Sequence, residues 1–346
     1  MLIGNRSTAI TSIYRGEFAV GRIKGIHHIS AITSSAEAIY QFFTYTLGMR
    51  LVKKTVNQDD IQTYHLFFAD DRGTPGTNIT FFDFAGIPQG THGNNEIYRV
   101  SFRVPNNEAL EYWLKRFQRL KVQHEDIQEL FGMKILPFTD FDNQQYQLIS
   151  DENNQWIASG TPWHEGPIPL EYAITGLGPV LIRVEQLQYM REVLENVHQF
   201  KHIDQDKSLH LFEVGEGGTG AQVIVEKNEH LPPAKQGYGL IHHIAFHVED
   251  EASLEEWKVR YRRFGLSTSG IIDRYFFHSL YTRVAPQIMF ELATNGPGFL
   301  EDESYETLGE KLSLPPFLEN HRSYIESRVR YIDTIRSNKK IKKEYE

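Results

Sequence analysis

The chain has 346 residues with 40% hydrophobic and 23% charged composition, which excludes global disorder and leaves room for two compact halves. A net charge of -9 argues against a nucleic-acid surface, which needs concentrated Lys and Arg. The absence of cysteine excludes disulfides, thiolate nucleophiles and zinc–thiolate sites together, so any metal must rest on His, Asp or Glu.

No run approaches the roughly 20 apolar residues that cross a bilayer, and Met1–Arg6 lacks the apolar stretch of a signal peptide, so the cytoplasm is the default compartment. After an N-terminal extension (1–22), Gly25-Ile26-His27-His28-Ile29-Ser30-Ala31 reads as a strand. A helical pattern follows over Ser35–Phe43, stopped near Gly48, and then strands over 50–56, 64–69 and 78–84. The order β-α-β-β-β returns in weaker form from Ile97, with a helix over 108–120 and a closing strand over 146–151. Pro162–Pro169, with Gly160 and Gly166, reads as a linker. A third copy runs from Gly178 through a helix over 186–195 to a strand over 221–226. The fourth opens on Leu240-Ile241-His242-His243-Ile244-Ala245-Phe246 and continues with a helix over 253–264 and strands over 269–273, 279–284 and 287–293.

Four modules of roughly 70 residues are therefore expected. The expected fold class is α+β, with the four βαβββ modules forming two barrel-like curved mixed sheets. The expected divisions are a first half (23–160, modules one and two), a linker (161–170), a second half (171–308, modules three and four) and a helical C-terminal tail (309–346). The basic run Lys339–Lys343 reads as a solvated helix end.

Only the outer modules keep the paired histidines. Tyr98-Arg99 and Gly178-Pro179 stand in their place in the inner ones, so the chain is expected to fold back until module four meets module one. In Ile288-Met289-Phe290-Glu291-Leu292-Ala293 strand alternation sets Glu291 on the face opposite Phe290 and Leu292, where an unpaired acid is costly to bury. A metal resolves that cost. A lone His243 beside Glu291 reads most simply as a core pair; duplication at His28 reverses the preference. His28, His243 and Glu291 together form the facial set of non-haem Fe(II) oxygenases, which leaves three positions open, and Mn(II) fits the same donors.

The stretch from Gly25 to about Glu319 resembles the vicinal oxygen chelate superfamily and, within it, the ring-cleaving dioxygenases of the MhqO/MhqA type. The segments that carry the likeness are Lys54-Thr55-Val56-Asn57, Tyr64-His65-Leu66-Phe67-Phe68-Ala69-Asp70, Thr74-Pro75-Gly76-Thr77, Ile272-Asp273-Arg274-Tyr275-Phe276, Phe290-Glu291-Leu292-Ala293-Thr294, Asn295-Gly296-Pro297-Gly298-Phe299 and Leu314-Pro315-Pro316-Phe317-Leu318-Glu319. The resemblance implies a cytoplasmic Fe(II)-dependent extradiol-type enzyme that opens hydroquinone- or catechol-like rings with O2, with no nucleic-acid or membrane partner and with homo-oligomer formation left open. It departs from the family at Val284-Ala285-Pro286-Gln287, before the glutamate strand, and at His278, where lysine is common.

The resemblance also implies that Tyr281 hydrogen-bonds the ring oxygen. His65 and His278 are the candidate general acid or base, since an imidazole pKa near 6.5 suits proton transfer at neutrality. Arg274 either neutralises an anionic substrate or pairs with a surface acid. Phe42, Phe67, Phe276 and Phe277 are candidate pocket walls. Asp83 is expected at the first-module position of Glu291, as an acceptor beside the metal rather than a fourth ligand, because its side chain is short. A fourth ligand would instead favour a glyoxalase-I-like isomerase. Loss of the ligands would leave a metal-free binding or resistance protein.

Two motifs read as ordinary structure. Gly215-Glu216-Gly217-Gly218-Thr219-Gly220 precedes a strand, not a helix, and so reads as a hairpin and not as a phosphate loop. His92, His164, His198 and His202 have no repeated counterpart, and most are expected in surface or loop positions.

Overall fold

The computed structural model describes residues 20–154, 156–337, 339 and 343. Nearly all of the N-terminal extension and Lys340, Ile341 and Lys342 of the basic tail lie outside the described residues.

Two curved mixed sheets make up the fold. The eight-stranded sheet runs, edge to edge, through Thr268–Asp273, His278–Ala285, Ile288–Ala293, Leu240–His247, Ile26–Ile32, Asn78–Phe82, Asp60–Ala69 and Arg50–Asn57. It is built wholly from modules one and four. The nine-stranded sheet takes its strands from modules two and three, with Gly176–Val184 beside Glu96–Val104 at its centre. Division of the chain into sequence halves is thus not its division into sheets. The glycine-rich run joins the antiparallel strands Leu209–Glu213 and Gln222–Lys227 as a hairpin. The stretch 162–169 has no regular secondary structure, yet Trp163 and Ile168 are buried, so it is a packed crossing between the sheets.

The seam between modules one and four is the antiparallel pair Ile26–Ile32 and Leu240–His247, with Ile29 opposite Ile244 on a local twofold axis. The register slips once on either side of that axis. Ile26 pairs with Phe246 but His28 with Ala245, and Ser30 pairs with His243 but Ala31 with Ile241. His27 and His242 are thereby the extra residues of two symmetric β-bulges. The second sheet repeats the device without the histidines: Leu181 faces Arg99 and Ile182 faces Ile97, which makes Tyr98 the extra residue.

One face of each central strand enters the core. Ile29, Ile244, Phe290 and Leu292 belong to the main apolar cluster, which continues into the second sheet through Val100, Val180 and Tyr146. The helix Ala36–Gln41 starts where the Ser35 side chain accepts the Ala38 N–H at 3.2 Å. It extends into a π-helical turn, Phe42–Thr46. Phe43 in that turn lies 5.0 Å from the rings of Phe68 and Phe81 on one sheet, and 6.0 Å from Phe102 and Tyr146 on the other.

The C-terminal segment is less helical than its sequence suggests. A 3-10 turn over Pro316–His321 and an α-helix over Arg322–Arg328 pack Leu318 and Ile325 against Val56. Residues 329–336 then run without regular structure along the strand Arg50–Asn57. There, buried Lys54 donates to Thr334 Oγ1 at 2.7 Å, and Arg336 donates to the Leu51 carbonyl at 3.3 Å. Buried cationic side chains on both partners need these acceptors, and a strap supplies them where a helix would consume its own carbonyls.

His198 lies in the turn that follows Val193–Val197, within the loop setting expected for most of its group, and is fully buried there. Its Nδ1–H donates to the Val193 carbonyl at 2.9 Å and its Nε2 accepts the Tyr261 hydroxyl at 2.9 Å. Burial holds its pKa down to about 4. The unfolded chain therefore binds this proton first as pH falls, so the stabilisation is complete above the ordinary histidine pKa and is lost on acidification. Equilibrium urea unfolding should show a loss of up to about 3 kcal/mol from this group between pH 6.5 and about 4. In His198→Gln that slope should flatten; an unchanged slope would contradict the assignment.

Candidate metal centre

Opposite the core-facing Ile29 and Ile244, the seam presents His28 and His243 on the concave side of the first sheet. The neighbouring strand adds Glu291, which pairs with Ala245 in parallel register. His28 and His243 are buried and Glu291 is 0% exposed. The Glu291 Oε2 stands 2.9 Å from His243 Nε2 and 3.2 Å from His28 Nε2, and the two nitrogens are 3.4 Å apart. The Ser279 hydroxyl donates to the other carboxylate oxygen at 2.5 Å.

The bulges decide which nitrogens point inward. Because each bulge brings adjacent side chains to one side, His27 Nδ1 meets His28 Nδ1 at 2.9 Å and His242 Nδ1 meets His243 Nδ1 at 2.8 Å. His27 Nε2 lies 3.0 Å from the Thr294 carbonyl, which can only accept, so that nitrogen carries the proton. Burial, with the neighbouring His28, holds the His27 pKa well below the ordinary value. Neutral His27 therefore has a bare Nδ1, to which His28 donates its Nδ1–H, and this leaves the His28 Nε2 facing Glu291. The His242–His243 pair has the same nitrogen-to-nitrogen geometry, with burial lowering the His242 pKa to about 3.

Such a cluster suits a cation. Burial alone would favour a protonated Glu291; positive charge at the His28 and His243 nitrogens that face it is what holds its carboxyl well below the usual range, a role that a bound cation fills when those nitrogens are bare. Burial likewise lowers the His243 pKa, against the pull of Glu291. Among the described residues no donor hydrogen is aimed at Glu291 Oε2. Ligand atoms at about 2.1 Å from one ion in adjacent octahedral positions stand roughly 3.0 Å apart, close to the three separations here. Among the described residues these three are the group of His, Asp and Glu whose ligand atoms converge closely enough to hold a metal.

A cavity of about 530 Å³ opens onto His28 and His243, walled by Phe67, Phe82, Phe84, Phe276, Phe277 and Met289. Tyr281 and His65 line it. The Tyr281 ring stands edge-on to His243 with centroids 5.5 Å apart, and burial raises its pKa. His65 lies between Phe67 and Phe82 at centroid distances of 4.0 and 4.2 Å, with Nε2 2.9 Å from Thr80 Oγ1. Burial, aided by His28 and His243, pushes its pKa well below the ordinary value, so His65 is a neutral imidazole near pH 7. Arg274, expected either to neutralise an anionic substrate or to pair with a surface acid, lines the cavity and pairs with Asp59 at 2.9 Å.

Three expectations are corrected. Asp83 is away from the centre: its carboxylate accepts the Tyr64 N–H at 2.8 Å and pairs with Arg330 at 3.2 Å. With Ile29 opposite Ile79 and Ser30 opposite Thr80, the first-module counterpart of Glu291 is Thr80. His278 is not among the residues that line the cavity; its Nε2 lies 4.0 Å from Glu251, while its backbone N–H donates to Thr294 Oγ1 at 3.0 Å. Phe42 packs between the sheets, 6.5 Å from Phe138. Unanticipated are the cavity positions of His242, Gln58 and Asp59. The repeated His-His carried a signal for His242, whereas nothing local marked the hairpin tip.

Residues 25–148 match the model of the Glyoxalase/Bleomycin resistance protein/Dioxygenase superfamily. Over 317 residues the chain is 40% identical to "Putative ring-cleaving dioxygenase MhqA" of Bacillus subtilis (strain 168), which covers 90% of this chain and 99% of that protein. It is 30% identical to the "Chlorohydroquinone/hydroquinone 1,2-dioxygenase" of Sphingobium indicum, with 86% of this chain and 93% of the relative covered. A crystal structure of a Bacillus subtilis protein described as a "putative dioxygenase" superposes with a TM-score of 0.82 at 31% identity, covering 91% of this chain and 99% of that one. Two bulged module pairs, a buried His-His-Glu cluster on one of them and full-length similarity to such relatives lead to one conclusion: the chain belongs to the Glyoxalase/Bleomycin resistance protein/Dioxygenase superfamily.

Proposed function

We propose that the protein is a ring-cleaving dioxygenase that opens hydroquinone- or catechol-like aromatic diols with O2, using Fe(II) held by His28, His243 and Glu291. The observation that carries this reading is the convergence of two imidazole nitrogens and one carboxylate oxygen, within 3.4 Å of one another, beside an aromatic-walled cavity. The names of the curated relatives support it. Thr80, at the position where a second carboxylate would supply a fourth ligand, favours it over metal-dependent isomerisation. Retention of all three donors weighs against a metal-free binding role.

When bound, Fe(II) would supply adjacent open positions for the diol and O2 and a route for electrons between them. The protein's own contribution is orientation and exclusion of water. The phenylalanine walls hold a flat ring and displace water from it. Tyr281, kept protonated by burial, offers an O–H donor to a ring oxygen. His65, kept neutral by burial, is placed to accept a proton from the diol and shares its Nε2 with Thr80. Ser279 holds the outer oxygen of Glu291, and the Thr294–His27 chain holds the tautomer of His28.

Protein reconstituted anaerobically with Fe(II) should consume O2 when given hydroquinone or catechol, and His243→Ala should lose both metal and uptake. No uptake by stoichiometrically loaded protein with any such diol would refute the reading. Replacement of His27 by Phe removes the acceptor that sets the His28 tautomer. Competitive metal titration should then show about 10–100-fold weaker Fe(II) binding, with an unchanged far-ultraviolet circular dichroism spectrum. Wild-type affinity in His27→Phe would mean that the histidine pair does not tune the site.

A further inference from the structure

The first-module hairpin between the strands Arg50–Asn57 and Asp60–Ala69 reaches across the cavity mouth to the fourth module. Its two tip residues grip one arginine from both ends: Gln58 Nε2 donates to the Arg274 carbonyl at 2.8 Å, and the Arg274 guanidinium donates to Asp59 Oδ2 at 2.9 Å. The pair straddles the boundary with solvent, the Asp59 side chain being 71% exposed and that of Arg274 18%. An ion pair so exposed contributes little to folding, so its consequence is sought in the cavity.

Among the described residues that line the cavity Arg274 supplies the one guanidinium, against the carboxylates of Asp59 and Asp60. It lies over the Tyr281 ring, 5.4 Å from the centroid, and Tyr281 in turn faces His243 at 5.5 Å. The Tyr281 ring thus lies between the guanidinium and His243, at the side of the cavity that borders the metal-binding cluster. A ring carboxylate arriving at the mouth finds the cation already neutralised by Asp59.

We propose that Asp59 is a specificity-determining residue: by occupying Arg274 it reserves the cavity for uncharged aromatic diols and turns away rings that carry a carboxylate. The substrate class rests on the dioxygenase reading, while the charge preference is a property of the cavity mouth and is measurable without turnover.

The test is anaerobic calorimetry on full-length, Fe(II)-loaded protein with hydroquinone and with gentisate, its ring-carboxylated analogue. Asp59→Asn leaves the hairpin and frees the guanidinium, and should raise the affinity for gentisate relative to hydroquinone by about tenfold or more. In Asp59→Asn/Arg274→Gln the gain should vanish. An unchanged ratio in the single variant, or a gain that survives in the double variant, would overturn the proposal. Failure of the dioxygenase reading shows separately, as absence of O2 uptake when air is admitted to the hydroquinone complex, whatever the affinity ratio.

Discussion

Two β-bulges, one on each side of the Ile29–Ile244 axis, govern the geometry of this protein. In a regular strand adjacent residues point to opposite faces, and a His-His pair would send one imidazole into the apolar core. With one extra residue in each strand, both imidazoles of each pair come to the concave side and meet through their Nδ1 atoms. The outer histidine then controls the inner one. A main-chain carbonyl fixes the proton on His27, His27 fixes the proton on His28, and the His28 Nε2 is left facing Glu291. A local defect in backbone pairing thus becomes a preorganised set of ligands.

The second sheet shows what the scaffold is without the chemistry. It has the same antiparallel seam and a matching bulge at Tyr98, but Arg99 and Pro179 stand where His28 and His243 stand in the first. The parallel register places Ile224 at the position of Glu291. Duplication supplied two equivalent seams, and the ligands sit on one of them. What remains common is the core between the sheets, in which Phe43 touches aromatic rings of both.

Much of this was legible in the residues. The repeated His-His named the two strands and implied that modules one and four meet, because a single ion cannot be shared by distant strands. Period-two alternation put Glu291 on the same face. The bulges were not read from the residues, although the doubled histidine in Ile26-His27-His28-Ile29 breaks the period-two alternation at the slip itself, so the roles of His27 and His242 emerged only from the backbone. Asp83 was matched to Glu291 by strand order, whereas the parallel register gives that place to Thr80, three residues earlier in the strand. The cavity mouth was the least visible part: Asp59 meets Arg274 across 215 residues of sequence, and no local rule predicts which hairpin tip crosses to which loop. The tail reads as helix from its composition, yet the buried charges of Lys54 and Arg336 call for outside acceptors and an extended path.

The account stands or falls on whether one ion joins the outer modules. Anomalous diffraction at the iron edge from crystals grown anaerobically with Fe(II) tests this directly. The predicted result is a single strong peak within bonding distance of His28 Nε2, His243 Nε2 and Glu291 Oε2, with Thr80 and Asp83 outside the coordination shell. A peak bound elsewhere, or none between those three atoms in loaded crystals, would contradict it.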